Sequence, residues 1–187
     1  MLTFDPELHK YEWNGSPVPS VTQILGVLKD RSWANGEDAM RLGTAVHYAC
    51  ELHDMGELDE STVSPLVQPY LDGWRRFLSE SKAGVMAVEQ RIYNERLGYA
   101  GTFDRILRIN GKDTLVDIKT GAVYPFHGPQ TAAYELAYHC KANFAPLHRA
   151  SVYLSPYGGY RMEPHNSPRD LQVFLACLAV WNFKNGR

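Results

Sequence analysis

The sequence predicts an α/β fold with a central mixed β-sheet and helices on both faces. Three observations predict it: an antiparallel run of strands over residues 85–119 that turns at Asn110-Gly111, a second hairpin over 149–163, and amphipathic helical patterns before, between and after them. Strands interleaved with such helices bury both faces of one sheet. At 187 residues, with 44% hydrophobic and 21% charged side chains, the chain has the size and balance of one globular domain with a self-sufficient core. A single domain over 1–187 is therefore expected, residues 1–33 forming an N-terminal arm and a short helix.

Residues 1–20 carry Phe4, Tyr11 and Trp13 between Asp5-Pro6, Asn14-Gly15, Pro17 and Pro19, the pattern of a strand pair or irregular arm on the domain surface. Ser20 is placed to cap a helix starting Val21-Thr22-Gln23. Ala39, Leu42, Gly43, Val46, His47 and Cys50 recur at helical spacing, predicting a helix over 34–53. Gly43 and His47 share a face of it, and a glycine inside a helix costs up to about 1 kcal/mol relative to alanine, so a strand or a nucleic-acid backbone is expected to pack closely there. Residues 55–64 are a polar connection. Leu66, Tyr70, Trp74, Phe77 and Leu78 form an apolar stripe over 65–81, with Arg75 and Arg76 on the solvated side. Residues 85–94 alternate as a strand bearing Glu89, whose simplest partner is Arg91 or Arg105. After the central hairpin, Tyr124 to Pro129 breaks the chain before a helix from Gln130 to about Lys141. Strands over 149–154 and 159–163 flank Pro156-Tyr157-Gly158-Gly159, and Ser167-Pro168 opens a last amphipathic helix reaching Phe183 that covers the sheet.

The chemistry concentrates on the central hairpin. Asn-Gly between two alternating runs marks a two-residue turn in which both residues take φ > 0. Ile109 then pairs with Lys112, and counting back places Asp104 opposite Asp117 with Lys119 on the same face. A four-residue loop, Asn110 to Asp113, would instead set Asp104 opposite Lys119. Opposed like charges destabilise a sheet, so the pair needs a shared proton or a cation, and hard divalent ions favour such oxygens. His47 is ordinarily read as a satisfied core histidine; with these carboxylates in the chain it is read as a ligand, and imidazole suits Mn²⁺ better than Mg²⁺.

Asp104 followed by Asp117-Ile118-Lys119 resembles the core motif of the PD-(D/E)xK nuclease superfamily, in its Asp-x-Lys form. Gly43-Thr44-Ala45-Val46-His47, Glu89, Gly101-Thr102-Phe103-Asp104 and Gln130-Thr131-Ala132-Ala133-Tyr134 follow the order of its RecB-type exonuclease branch. The resemblance implies a restriction-endonuclease-like core and a metal-dependent DNA exonuclease leaving 5′-phosphate and 3′-hydroxyl ends. It implies one or two Mg²⁺ or Mn²⁺ ions held by His47, Asp104, Asp117 and the Ile118 carbonyl, with Glu89 beside them and Lys119 as the catalytic lysine. It further implies DNA contacts from Gln130, Tyr134, Thr120 and Gly43, with His127 near substrate and a phosphate contact as the alternative role of Ser20. Some relatives carry an iron–sulfur cluster on four cysteines; Cys50, Cys140 and Cys177 cannot supply that set, so no cluster is expected.

A net charge of −2 and a pI near 6.4 give no global pull on nucleic acid, which weighs against tight nonspecific duplex binding but not against an acidic, metal-loaded site. No apolar run is long enough to span a membrane and the start does not resemble a signal peptide, so no membrane partner and a cytoplasmic setting are expected. The expected partner is DNA, as a single strand or a duplex end, with a recombination protein or a second copy of the chain alongside. A structure-selective endonuclease, a DNA-binding subunit that has lost cleavage and a hydrolase of small phosphate esters are the competing readings. The intact Asp, Asp, Lys set argues against loss of cleavage, and Gln130 with Tyr134 favours a polymer.

Overall fold

The structure, a computed structural model, describes residues 1–6, 8–28, 36–140 and 145–186. Its centre is a five-stranded sheet: β4 (Gly84–Asn94), β5 (Tyr99–Ile109), β6 (Lys112–Lys119), β7 (His148–Leu154) and β8 (Tyr160–Pro164), in that spatial order. The first three strands and the last pair are antiparallel, while β6 and β7 are parallel. Parallel neighbours need a crossover, and the helix His127–His139 supplies it. The sheet is therefore mixed, as the element order predicts.

The β5–β6 turn settles the register. Asn110 and Gly111 take φ of 49° and 76°, and Ile109 pairs with Lys112, so the loop has two residues, not four. Below the sheet, α2 (Glu37–Met55) and α3 (Gln68–Ser81) bury Val46, Cys50, Leu71, Trp74 and Phe77 against Leu107, Val116, Ile118 and Val152. Above it, α1 (Val21–Leu25), α4 (His127–His139) and α5 (Arg169–Lys184) bury Ile24, Ala133, Tyr134 and Phe174 against Tyr99, Phe103, Ile106 and Leu115. Helices thus cover both faces. Last in the chain, α5 packs along α4 and α1 and meets the sheet through Phe174, whose ring lies 4.9 Å from that of Tyr99.

Several boundaries differ from expectation for identifiable reasons. The arm is not a strand pair but a three-stranded sheet of β1 (Leu2–Asp5), β2 (Lys10–Trp13) and β3 (Ser16–Val18), because Asn14-Gly15 also turns with both φ positive and Pro17 sits on the edge strand. Ser20 caps α1 through a reciprocal box with Gln23, as expected. Helix α2 runs past His53 to a left-handed cap at Gly56; the expected start at Ala34 lies outside the described residues. Helix α3 begins at Gln68, with Pro69 in its first turn, and this leaves Leu66 75% exposed instead of in the stripe. Helix α4 starts at His127 because Pro129, far from breaking it, falls in a first turn whose N–H groups lack helical acceptors; Lys141, its expected end, is outside the described residues. Phe183, at the end of α5, points away from the core at 87% exposure.

Candidate metal and phosphodiester site

Asp104 sits where the sheet loses its regularity. Tyr99, Gly101 and Phe103 face α4: the Tyr99 hydroxyl donates to the Ala133 carbonyl, and Phe103 meets Tyr138 edge-on. Arg105 and Leu107, still odd-numbered, face α2 and α3 instead, while Ile106 turns to the α4 side. The alternation slips one step at Asp104. The ladders show the same break. On one side Val88 pairs with Arg105 and Gln90 with Phe103, leaving Glu89 and Asp104 unpaired; on the other the pairing ends at Arg105–Val116. Asp104 and Asp117 therefore keep the expected register without being ladder partners. Glu89 adopts φ of 47°, a left-handed conformation that costs a non-glycine residue roughly 1–2 kcal/mol. Such strain persists only where the surroundings enforce it.

The opened ladder gathers polar groups at the end of a cleft of about 610 Å³. Among the described residues, His47, Glu89 and Asp104 each offer a ligand atom, all within 4.8 Å of one another. His47 Nδ1 lies 3.5 Å from Asp104 Oδ2, which also accepts the Ile118 N–H at 2.6 Å. Glu89 Oε1 accepts from Arg105 Nη1 at 3.0 Å, so its simplest expected partner is present and it still joins the cluster. Asp117 faces a neighbouring set. Its Oδ2 is 2.5 Å from Lys119 Nζ, and its Oδ1 accepts from Gln130 Nε2 at 3.3 Å. Gln130 also accepts from Lys119 Nζ at 3.3 Å and donates to the Tyr134 hydroxyl at 3.0 Å. Gln130 and Tyr134 border the cleft while nearly fully buried, so they hold the Asp117–Lys119 pair in place. His127 is buried, with Nδ1 2.7 Å from the Tyr153 hydroxyl.

The two glycines bordering the cleft differ. A Cβ on Gly101 would lie 2.7 Å from the Tyr134 ring and 3.3 Å from Val21, which neither neighbour can accommodate without moving. A Cβ on Gly43 would meet only Thr120 Oγ1, at an ordinary 3.4 Å. Among the described residues no strand therefore crowds Gly43, and of the two neighbours expected there a nucleic-acid backbone remains. Gly101→Ala is expected to lower the melting temperature and displace Tyr134. Gly43→Ala should hold or raise it, through up to about 1 kcal/mol of added stability from helix propensity. A loss of DNA affinity in a fully folded Gly43→Ala protein would show that the ligand, not the fold, needs that glycine.

Crowding sets the charges. Burial, then the charge of Asp104, pushes Glu89 up to about 7. Burial also raises Asp117 to about 6, with Asp104 adding and Lys119 opposing. Burial opposes ionisation of Asp104 as well, but His47 and Lys119 outweigh it and hold it at about 2. His47 is raised, since Asp104 overcomes the effect of its burial. Without a cation the cluster thus retains protons near neutrality, which is the condition a divalent ion relieves. An imidazole and two clustered carboxylates fit such an ion.

A pH dependence follows. Glu89 and Asp117 bind protons more tightly when folded, and the stability this contributes is lost as pH rises through about 6–7. His47, also raised, acts in the same direction, and Asp104 loses its contribution only in acid. Buried His127, held down at about 3, acts in the opposite sense below the ordinary histidine range, so metal-free protein is expected to melt progressively lower from about pH 6.5 to 8. Manganese should reverse this, because its ligands must be deprotonated. At 100 times its dissociation constant an ion adds about 2.7 kcal/mol, or roughly 5–10 °C, at pH 8 and far less at pH 5.5. A metal-induced shift that is equal at both pH values would count against these ligands.

Sequence reasoning did not find the support beneath the cluster. Arg105, fully buried, donates from Nε to Asp54 Oδ2 at 2.6 Å and lies over Trp74, whose Nε1 also donates to Asp54. His47 and Asp54 are two turns apart on α2, which is the signal that was available.

No protein-family model matches the chain, and no curated protein is significantly similar to it. Among solved structures it is similar to a Eubacterium rectale protein named "Putative exonuclease", with a TM-score of 0.53 and 12% identity over 92% of this chain and 78% of that one. A second structure, SSO0001, gives a TM-score of 0.36 at 19% identity over 84% of this chain and 80% of its own, too distant to carry an argument. At these identities the likeness is one of fold. The mixed five-stranded sheet with helices on both faces is consistent with a restriction-endonuclease-like core.

Proposed function

We propose that this protein is a divalent-metal-dependent deoxyribonuclease, an exonuclease that acts on DNA ends and leaves 5′-phosphates and 3′-hydroxyls. The observation that carries the reading is the junction of the His47, Glu89 and Asp104 cluster with the Asp117–Lys119 pair at one end of one cleft. The fold shared with the Eubacterium rectale protein supports it.

His47, Glu89 and Asp104 hold Mg²⁺ or Mn²⁺, with Asp117 and the Ile118 carbonyl completing the set for one or two ions. A bound ion supplies an acidified water and charge compensation at the scissile phosphate. Arg105 fixes Glu89, and the Ile118 N–H fixes Asp104. Lys119 Nζ, oriented by Gln130, donates to the attacking water or to the phosphate oxygen on which charge develops. Gly43, which lines the cleft, and the adjacent Thr120 lie beside the DNA backbone, and Tyr134 positions Gln130. The same reading places the enzyme in cytoplasmic DNA recombination, repair or processing, with a recombination partner or a second copy of the chain.

The test uses linear single-stranded and duplex DNA labelled at each end, and a closed circle, in Mg²⁺, Mn²⁺ or EDTA. Metal-dependent loss of linear DNA with circles spared, abolished in Lys119→Ala, is the expected result. Cutting of the circle would make the protein an endonuclease. Binding without cleavage in either metal would leave a DNA-binding subunit.

A further inference from the structure

Besides the strands, α1 and α4, the cleft is lined by α2, with Gly43, His47 and Tyr48, and by the N-terminal arm, with Phe4, His9 and Tyr11. The arm is anchored close to the cluster. The Tyr11 hydroxyl is 2.8 Å from Thr102 Oγ1, two residues before Asp104, and Trp13 stacks on Tyr93 of β4 at 4.4 Å. Its rings pack on one another: Phe4 lies 4.5 Å from the buried Tyr11 ring and 5.2 Å, edge-on, from the exposed His9 ring, with the Arg91 guanidinium 5.3 Å from the Phe4 centroid.

Resting on the nuclease reading above, we propose that this arm is a base-stacking wall, and that the site takes an unpaired DNA end whose nucleobases lie against Phe4 and His9 while the phosphate reaches the cluster. Charge makes the wall necessary. The ionisable groups lining the cleft include Glu51, Glu89, Asp104 and Asp117 against Arg91, Lys119, His9 and His47, so apart from the ion it would hold the cleft offers few cations to the phosphates of a strand. Aromatic faces are the remaining source, and base stacking on such faces supports single-strand binding without sequence preference. Within a duplex only the terminal pair exposes a face, whereas an unpaired strand can turn successive bases onto the wall. The space agrees. About 610 Å³ falls in the roughly 300–1,000 Å³ range of sites that enclose a small ligand, enough for a few nucleotides of one strand.

The experiment measures binding of the whole protein in Ca²⁺ by fluorescence anisotropy, and hydrolysis separately in Mn²⁺. The probes are an oligothymidylate, an abasic strand with the same number of phosphates, and a blunt hairpin duplex. Wild type is expected to favour oligothymidylate over the abasic strand by roughly 5- to 150-fold, the range for one stacked base. His9→Ala, at an exposed position, and Phe4→Leu should reduce that preference severalfold while abasic binding stays within about twofold. Base-dependent binding without hydrolysis would sink the nuclease reading and leave the wall standing. Hydrolysis with no base dependence, or with equal losses on both strands in the variants, would overturn the wall and leave the nuclease. Absence of both binding and hydrolysis would remove both.

Discussion

Asp104→Asn is expected to abolish metal-dependent DNA hydrolysis while leaving the protein folded. Asparagine has nearly the same shape, and its carbonyl oxygen can still accept the Ile118 N–H that Asp104 Oδ2 accepts at 2.6 Å. The negative charge between His47 and Glu89 is what it removes. Loss of an outer-shell partner typically costs roughly 10–100-fold in metal affinity or activity. Loss of a direct ligand should exceed that, by about 10³-fold or more in rate, and the heat of Mn²⁺ binding should vanish from calorimetry. The metal-free variant should stay folded but melt somewhat below wild type near neutral pH, because the ionised carboxylate that His47 and Lys119 stabilise has gone. Retained Mn²⁺ binding with near-normal hydrolysis would show that Asp104 is not a ligand.

Asp54→Ala should give the largest loss of stability. Asp54 and Arg105 side chains are both fully buried, and Asp54 takes hydrogen bonds from Arg105 at 2.6 Å and from Trp74 at 3.0 Å. Among the described residues, Arg105 Nη2 has no partner even in wild type. Removing Asp54 strands a guanidinium that only Glu89 and the Asp104 carbonyl then satisfy. Breaking a buried pair in this way costs about 3–5 kcal/mol. For a chain of this size that lowers the melting temperature by roughly 6–20 °C. A double variant, Asp54→Leu with Arg105→Met, should recover much of the loss because no charge is left buried. It should still bind metal weakly, since Glu89 has lost the partner that holds it. Full recovery of metal binding in the double variant would show that Arg105 serves stability alone.

The central hairpin was legible because its determinants are local. Asn110-Gly111 admits two positive φ values in succession, and from that turn the pairing runs without a slip to Arg105–Val116. The nearness of Asp104, Asp117 and Lys119 follows from it. The helical face joining Gly43 to His47, and the Ser20 cap, were legible for the same reason. The arm's third strand carried a signal of the same kind in Asn14-Gly15, yet three residues around Pro17 do not announce a strand. The exposure of Leu66 and Phe183 carried none. Both fit their stripes, and only the point where Pro69 opens α3 and the packing of α5 on α4 leave them outside.

The sequence by itself determined the hairpin, the mixed sheet between two helical layers, and the residue types able to hold a metal, because turn chemistry and apolar periodicity act over a few residues. Tertiary structure alone decided that alternation slips at Asp104, that Glu89 is held left-handed within 4.8 Å of His47 and Asp104, and that Asp117 pairs with Lys119 instead. The reason is range: Arg105 buries its charge against Asp54, far away in the chain, and lies over Trp74 of α3, contacts that turn chemistry and periodicity do not encode.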